Sequence, residues 1–161
     1  MNSTILTQLK PFKRYLPFLA LVIVLAVLAI WKQFQTPPVH FGSTPVACIG
    51  GHENLAQHIH QTLTITVDGV AEIIPANIGI KSSCMAEVHT HDTTGEIHIE
   101  SAQPGKAFKL GDFFAVWGKP IDRPGYTLEM LVNNAKRING GDLVLQDEQR
   151  IELRYISNGT E

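Results

Sequence analysis

Between Cys84 and Ser101 the chain reads CMAEVHTHDTTGEIHIES, and this stretch gathers His89, His91, His98, Cys84, Met85 and several carboxylates. Neutral imidazole is the commonest protein ligand for transition metals, and a carboxylate beside it suits zinc or divalent iron, whereas sulfur donors suit copper. The first chemistry this composition points to is therefore the binding of a transition metal ion, copper or zinc. The His-x-His spacing of His89 and His91 recurs at His58 and His60, which offer either two further ligands for the same ion or a second site. All seven histidines fall between positions 40 and 98; His40 and His52 lie outside the strand-like stretches and carry no such expectation.

Convergence depends on strand register. A hairpin with a two-residue loop at Thr94-Gly95 pairs His91 with His98 and His89 with Glu100, so that His89, His91, His98 and Glu100 share one face. The competing three-residue loop, Thr93 to Gly95 with a glycine bulge, sends His98 to the opposite face. The first register is preferred because it puts Val88, Ile97 and Ile99 together on the other face, where a core needs them.

The other reactive groups are fewer. Cys48 and Cys84 are the only cysteines, and their expected state is a disulfide closing a loop of 36 residues; a metal-ligand role for Cys84 and a free thiol are the alternatives. Glu87, Asp92, Glu96 and Glu100 include candidates for a general base acting on a metal-bound water, which keeps a metal-assisted hydrolase or lyase in view. No His-Glu-x-x-His, Gly-x-Ser-x-Gly or Walker sequence supports a particular enzyme, and no Cys-x-x-Cys supports a thiol oxidoreductase.

The elements that must position these groups are those of an α+β domain dominated by antiparallel hairpins with one short helix. Ile59, Leu63, Ile65 and Val67 alternate with His58, His60, Thr62, Thr64 and Thr66, and Asp68-Gly69 follows as a hairpin turn. Leu110, Phe113, Phe114 and Trp117 switch to helical spacing and stop at Gly118. The segment YTLEMLVNNAKRI fits either period; its β-branched and aromatic residues and the Asn133-Asn134 pair favour a strand and turn. Ile151, Leu153 and Tyr155 alternate with charged residues in a last strand. Hairpin, helix, hairpin is the order of a β-grasp fold with the histidine hairpin inserted.

Ahead of this domain the 17 residues from Tyr15 to Trp31 carry no charge, and Arg14 and Lys32 bound them. A helix of this length just spans a bilayer when its flanking cations snorkel outward, and an uncleaved anchor fits better than a signal peptide. Lys10, Lys13 and Arg14 precede the span and only Lys32 follows it closely, which predicts a cytoplasmic N-terminus. The expected organisation is a cytoplasmic segment 1–14, a transmembrane anchor 15–31, a linker 32–45 and an extracytoplasmic domain 46–161, periplasmic or extracellular. Four of the 13 basic residues lie in or beside the span, leaving nine against 15 acidic residues after it, a net charge of −6. That acidity argues against a nucleic-acid partner and favours cations.

Taken together, HIHQTLTITVDG, IPANIGI, HTHDTTGEIHIE, FKLGDFFAVWG and LVLQDEQRIELRY resemble the conserved blocks of a largely uncharacterised family of membrane-anchored, exported domains of bacteria and archaea. The resemblance covers about residues 58–156. It implies export, the extent of the domain and importance for His89, His91 and His98, and it implies no activity. Lys109 stands where that family leads one to expect a helix-capping Thr. The function expected first is an extracytoplasmic metal-binding module for sequestration, delivery or assembly of an envelope enzyme. A non-metal domain that recognises an envelope protein or polymer is the second reading, and the metal-assisted enzyme the third.

Overall fold

A computed structural model describes residues 10–33, 38–138 and 140–159. The chain divides into two compact units, Met1–Pro37 and Pro38–Glu161. In the first, helix α1 (Lys10–Gln33) contains a window, Tyr15–Lys32, of mean hydropathy 2.3, long and apolar enough to cross a membrane. Side chains from Tyr15 to Lys32 are exposed, and the run from Tyr15 to Trp31 carries no charge, so the helix is apolar all round.

The second unit begins with β1 (Cys48–Ile49), the long strand β2 (Gln57–Val67), β3 (Val70–Glu72), β4 (Ile80–Lys81), β5 (Cys84–Ala86), β6 (Val88–His89) and β7 (Glu96–Ser101). Helix α2 (Leu110–Trp117) follows, then β8 (Tyr126–Val132), β9 (Ala135–Arg137), a single 3-10 turn at Gly140–Asp142 and β10 (Gln149–Ser157). The main sheet runs β6-β7-β2-β10-β8-β9, with β3 sharing one edge of β2 with β7. All its pairings are antiparallel except β2 with β10.

This is the expected α+β fold, and the hairpin β2-β3, the helix and the closing strands follow the β-grasp order. Asp68 and Gly69 both have positive φ, 48° and 82°, as does the Asn133-Asn134 pair that joins β8 to β9. Such two-residue turns match the right-handed twist of the strands they connect. The parallel pairing of β2 with β10 was not expected from the alternation. It arises because the chain crosses through α2 before returning beside its first strand.

Leu110, Phe113, Phe114 and Val116 of α2 pack with Leu63, Ile65, Ile97, Ile99, Met130, Ile151, Leu153 and Tyr155 in the core. The N-terminus of α2 is closed by Asp112, whose carboxylate accepts the Lys109 N–H at 2.7 Å. Asp112 thus supplies an N-terminal bond that the lysine side chain cannot, since an ammonium has no acceptor. Gly118 ends the helix with φ 75°.

Residues 38–45, expected to be linker, belong to the second unit. Phe41 and Val46 are in the core, and Phe41 N–H donates to Val46 O at 2.8 Å. Phe41 makes this arm part of the folded unit, because burying a phenyl ring outweighs the Pro and Gly content around it. Cys48 and Cys84 form the disulfide, beside the β1-β5 pairing.

Candidate metal centre

The histidines meet because three neighbouring strands carry them abreast. His60 of β2 faces His98 of β7, and His98 faces His89 of β6, while His58 faces Glu100 in the next row. On the other side of the same strands Ile59, Ile99 and Val88 form the parallel apolar row. Strand parity alone separates the two sets.

The expected two-residue hairpin loop is not what forms. Val88 pairs with Ile99 and His89 with His98, a register shifted by two residues from the one expected, and the connection runs from Thr90 to Gly95. Thr90 causes the shift. It is fully buried; its hydroxyl donates to Pro75 O at 2.9 Å and accepts from Ile78 N–H at 3.1 Å, and its own N–H donates to Ile78 O. These bonds turn the chain away from β7 one residue after His89.

A shift of two preserves side-chain parity, so Val88, Ile97 and Ile99 are still buried and His89, His98 and Glu100 still share a face. His91 reaches the site from the loop rather than from a strand. Asp92 shapes that loop by accepting from Thr94 N–H and Thr94 hydroxyl.

His89, His91, His98 and Glu100 each present one ligand atom, and these four atoms lie within 4.8 Å of one another. His89 and Glu100 are buried, His98 half-buried and His91 exposed. His89 Nδ1 is 2.9 Å from Ala86 O. A carbonyl only accepts, so Nδ1 carries the proton and Nε2 keeps the lone pair. That lone pair points at His91 Nε2, 3.1 Å away. A backbone carbonyl holding the far nitrogen is the usual support of a metal-ligating histidine.

Electrostatics reinforce the neutral form. Burial pushes the His89 imidazole down to about 4, opposed in part by its bond to Ala86. Burial also lowers His98, helped by the positive charge that His60 and His91 would bring beside it. His98 Nδ1 is buried without a hydrogen-bond partner among the described residues. For zinc, nitrogen and oxygen ligands at about 2.0 to 2.2 Å in a tetrahedron lie about 3.3 to 3.6 Å from each other, so the four side chains need only close inward.

His58 and His60 also lie close to the site, and with His98 they form a second set whose ligand atoms fall within 4.8 Å. His98 therefore belongs to both sets. Its ring centroid is 4.6 Å from His91, 5.4 Å from His89 and 4.5 Å from His60.

His52 was not expected and is part of the cluster. Its Nδ1 lies 3.0 and 2.9 Å from the two oxygens of Glu100, and His58 Nε2 is 3.2 Å from the first of them. No local spacing announces His52, which sits in the loop before β2; its loop is placed where Ala56 N–H bonds to Ser101 O, 45 positions on. His40, in an isolated bridge with Ala47, is outside both sets.

The disulfide forms as expected, and the expectation for Glu87 changes. Cys84 is held in the disulfide, so no thiolate is available to an ion. Glu87 is not free to act as a base: it accepts from Ala47 N–H at 3.0 Å and Ser101 hydroxyl at 2.8 Å and is paired with Lys106. Its buried carboxylate ties the N-terminal arm to the end of β7. Glu96 faces His98 Nε2 at 3.2 Å from the exposed side.

No protein-family model, no curated protein and no solved structure matches this chain.

Proposed function

We propose that this protein is a membrane-anchored, extracytoplasmic module that holds one divalent transition metal ion through His89, His91, His98 and Glu100 and serves in handling that metal at the cell envelope. The observation that carries this reading is the convergence of three imidazoles and a buried carboxylate, with the His89 lone pair aimed inward by Ala86. Zinc fits this donor set of imidazoles and a carboxylate better than copper(I), and the thiolate that would favour the latter is lost when Cys84 is bridged. His91 leaves the site open to water, which suits uptake and hand-over better than a permanently enclosed structural ion.

The apolar helix and the disulfide support an oxidising, extracytoplasmic location, and the excess of basic residues before the span supports a cytoplasmic N-terminus. The blocks that resemble exported, membrane-anchored domains agree with this topology. Delivery to an envelope protein is the role such an open site serves.

The test is the zinc content of the full-length chain in detergent micelles after chelation, reloading and removal of free metal. One equivalent is expected in the wild type and none in His89→Ala/His91→Ala. A wild-type chain that retains no stoichiometric zinc or copper rules this reading out and leaves the histidine face as an interaction surface.

A further inference from the structure

The two histidine sets share His98, and this sharing restricts how they work. A neutral imidazole has one lone pair, so His98 serves one ion at a time. The sets are therefore alternatives for a single ion, not two independent sites. They also differ in exposure: in the outer set the side chain of His58 is 47% exposed, whereas in the inner set Glu100 is 1% and His89 0% exposed.

Resting on the metal-binding reading above, we propose that His58, His60 and His98 form an outer loading position that captures the ion from solvent and passes it, through His98, to the inner position of His89, His91 and Glu100. The outer set offers three neutral nitrogens and leaves both charges of the ion uncompensated. The inner set adds the Glu100 carboxylate in a buried setting, where opposite charges attract more strongly, so the ion runs downhill inward. Glu100 reaches toward both sets, since His58 Nε2 lies 3.2 Å from its carboxylate, and His98 remains a ligand throughout. The ion changes partners one at a time and is never stripped of all of them. The competing route is direct capture by the exposed His91.

The full-length chain in micelles, stripped of metal, is mixed rapidly with zinc and a chromophoric zinc chelator, and compared with His58→Thr/His60→Thr. Thr62, Thr64 and Thr66 already occupy this strand face, so threonine suits the backbone there. The proposal expects one equivalent at saturation in both proteins. It also expects zinc uptake and release in the variant to slow together by about tenfold or more, as for loss of a site that concentrates the ion locally. The equilibrium constant should then fall by less than in Glu100→Gln, because a loading position alters the path and not the end states, and the Glu100 oxygen that loses His58 keeps His52. Retention of one equivalent also shows that the variant has kept its fold.

Uptake as fast as in the wild type overturns the proposal in favour of His91. An equilibrium constant weakened as much as in Glu100→Gln overturns it by making His58 and His60 ligands of the final site, and two equivalents in the wild type overturn the sharing of His98. A wild type that takes up no zinc refutes the metal reading itself.

Discussion

At the scale of single residues the site is governed by which nitrogen carries a proton. His89 is the pivot, because burial keeps it neutral and Ala86 O fixes its tautomer. The linkage to stability follows. The unfolded chain takes up a proton on this residue near the ordinary histidine value of about 6.5, while the folded chain does so only near 4. Stability of the metal-free protein is therefore whole above about pH 6.5 and falls as pH drops toward 4, by on the order of 3 kcal/mol for this residue. His98 shifts in the same direction and steepens the loss. Urea unfolding in the presence of chelator from about pH 7.5 to 4.5 checks it, and stability that held level or rose toward acid would contradict the burial of His89. A second expectation concerns Glu100: Glu100→Gln keeps the size of the side chain and removes its charge, so zinc affinity should drop by at least about 10-fold to 100-fold. The histidines were legible as a cluster from their alternation with Val88, Ile97 and Ile99. His52 was not, since its partner lies 48 residues away.

At the scale of elements, the position of His91 depends on a loop anchored at both ends. Thr90 fastens its start to the turn around Pro75 and Ile78, and Gly95 fastens its end against β2, where Leu63 N–H donates to Gly95 O at 2.9 Å. Thr90→Val leaves the buried Ile78 N–H without its acceptor and the Pro75 carbonyl without its donor, and should cost about 2 kcal/mol, with weaker zinc binding because His91 is no longer held. Gly95→Ala should be worse. The residue has φ +83°, and a Cβ there would lie 2.2 Å from Leu63 O, so both conformation and contact oppose it. A loss of more than about 2 kcal/mol in urea unfolding is expected, and a fully stable Gly95→Ala protein would refute the loop geometry. Periodicity revealed the elements here but not their connection, because bonds from Thr90 to a turn twelve to fifteen residues earlier leave no periodic trace.

At the scale of the whole molecule, one covalent bond ties the N-terminal arm to the edge of the histidine region. The Cys48–Cys84 bridge closes a span of 36 residues. On chain entropy its removal should cost about 4 kcal/mol, measured as the drop in urea stability of Cys48→Ala/Cys84→Ala, or of the wild type under reductant. Zinc should return part of that loss, because an ion that binds only the folded chain stabilises it by mass action.

The sequence by itself determined what local patterns encode. An uncharged run of 17 residues specifies an apolar helix, strand parity specifies which side chains go to the core and which to the histidine face, and a lone cysteine pair leaves only one intrachain bridge to form. Parity has period two, so it survived even a register shifted by two residues. Tertiary structure alone decided the rest: the parallel pairing of β2 with β10, the placing of His60, His98 and His89 abreast on three strands, the capture of Glu100 by His52, and the removal of Glu87 into a buried network with Lys106. Each of these is a contact between residues far apart in the chain. Such contacts form because burying the shared core brings distant segments together, and short-range spacing carries no record of which segments those will be.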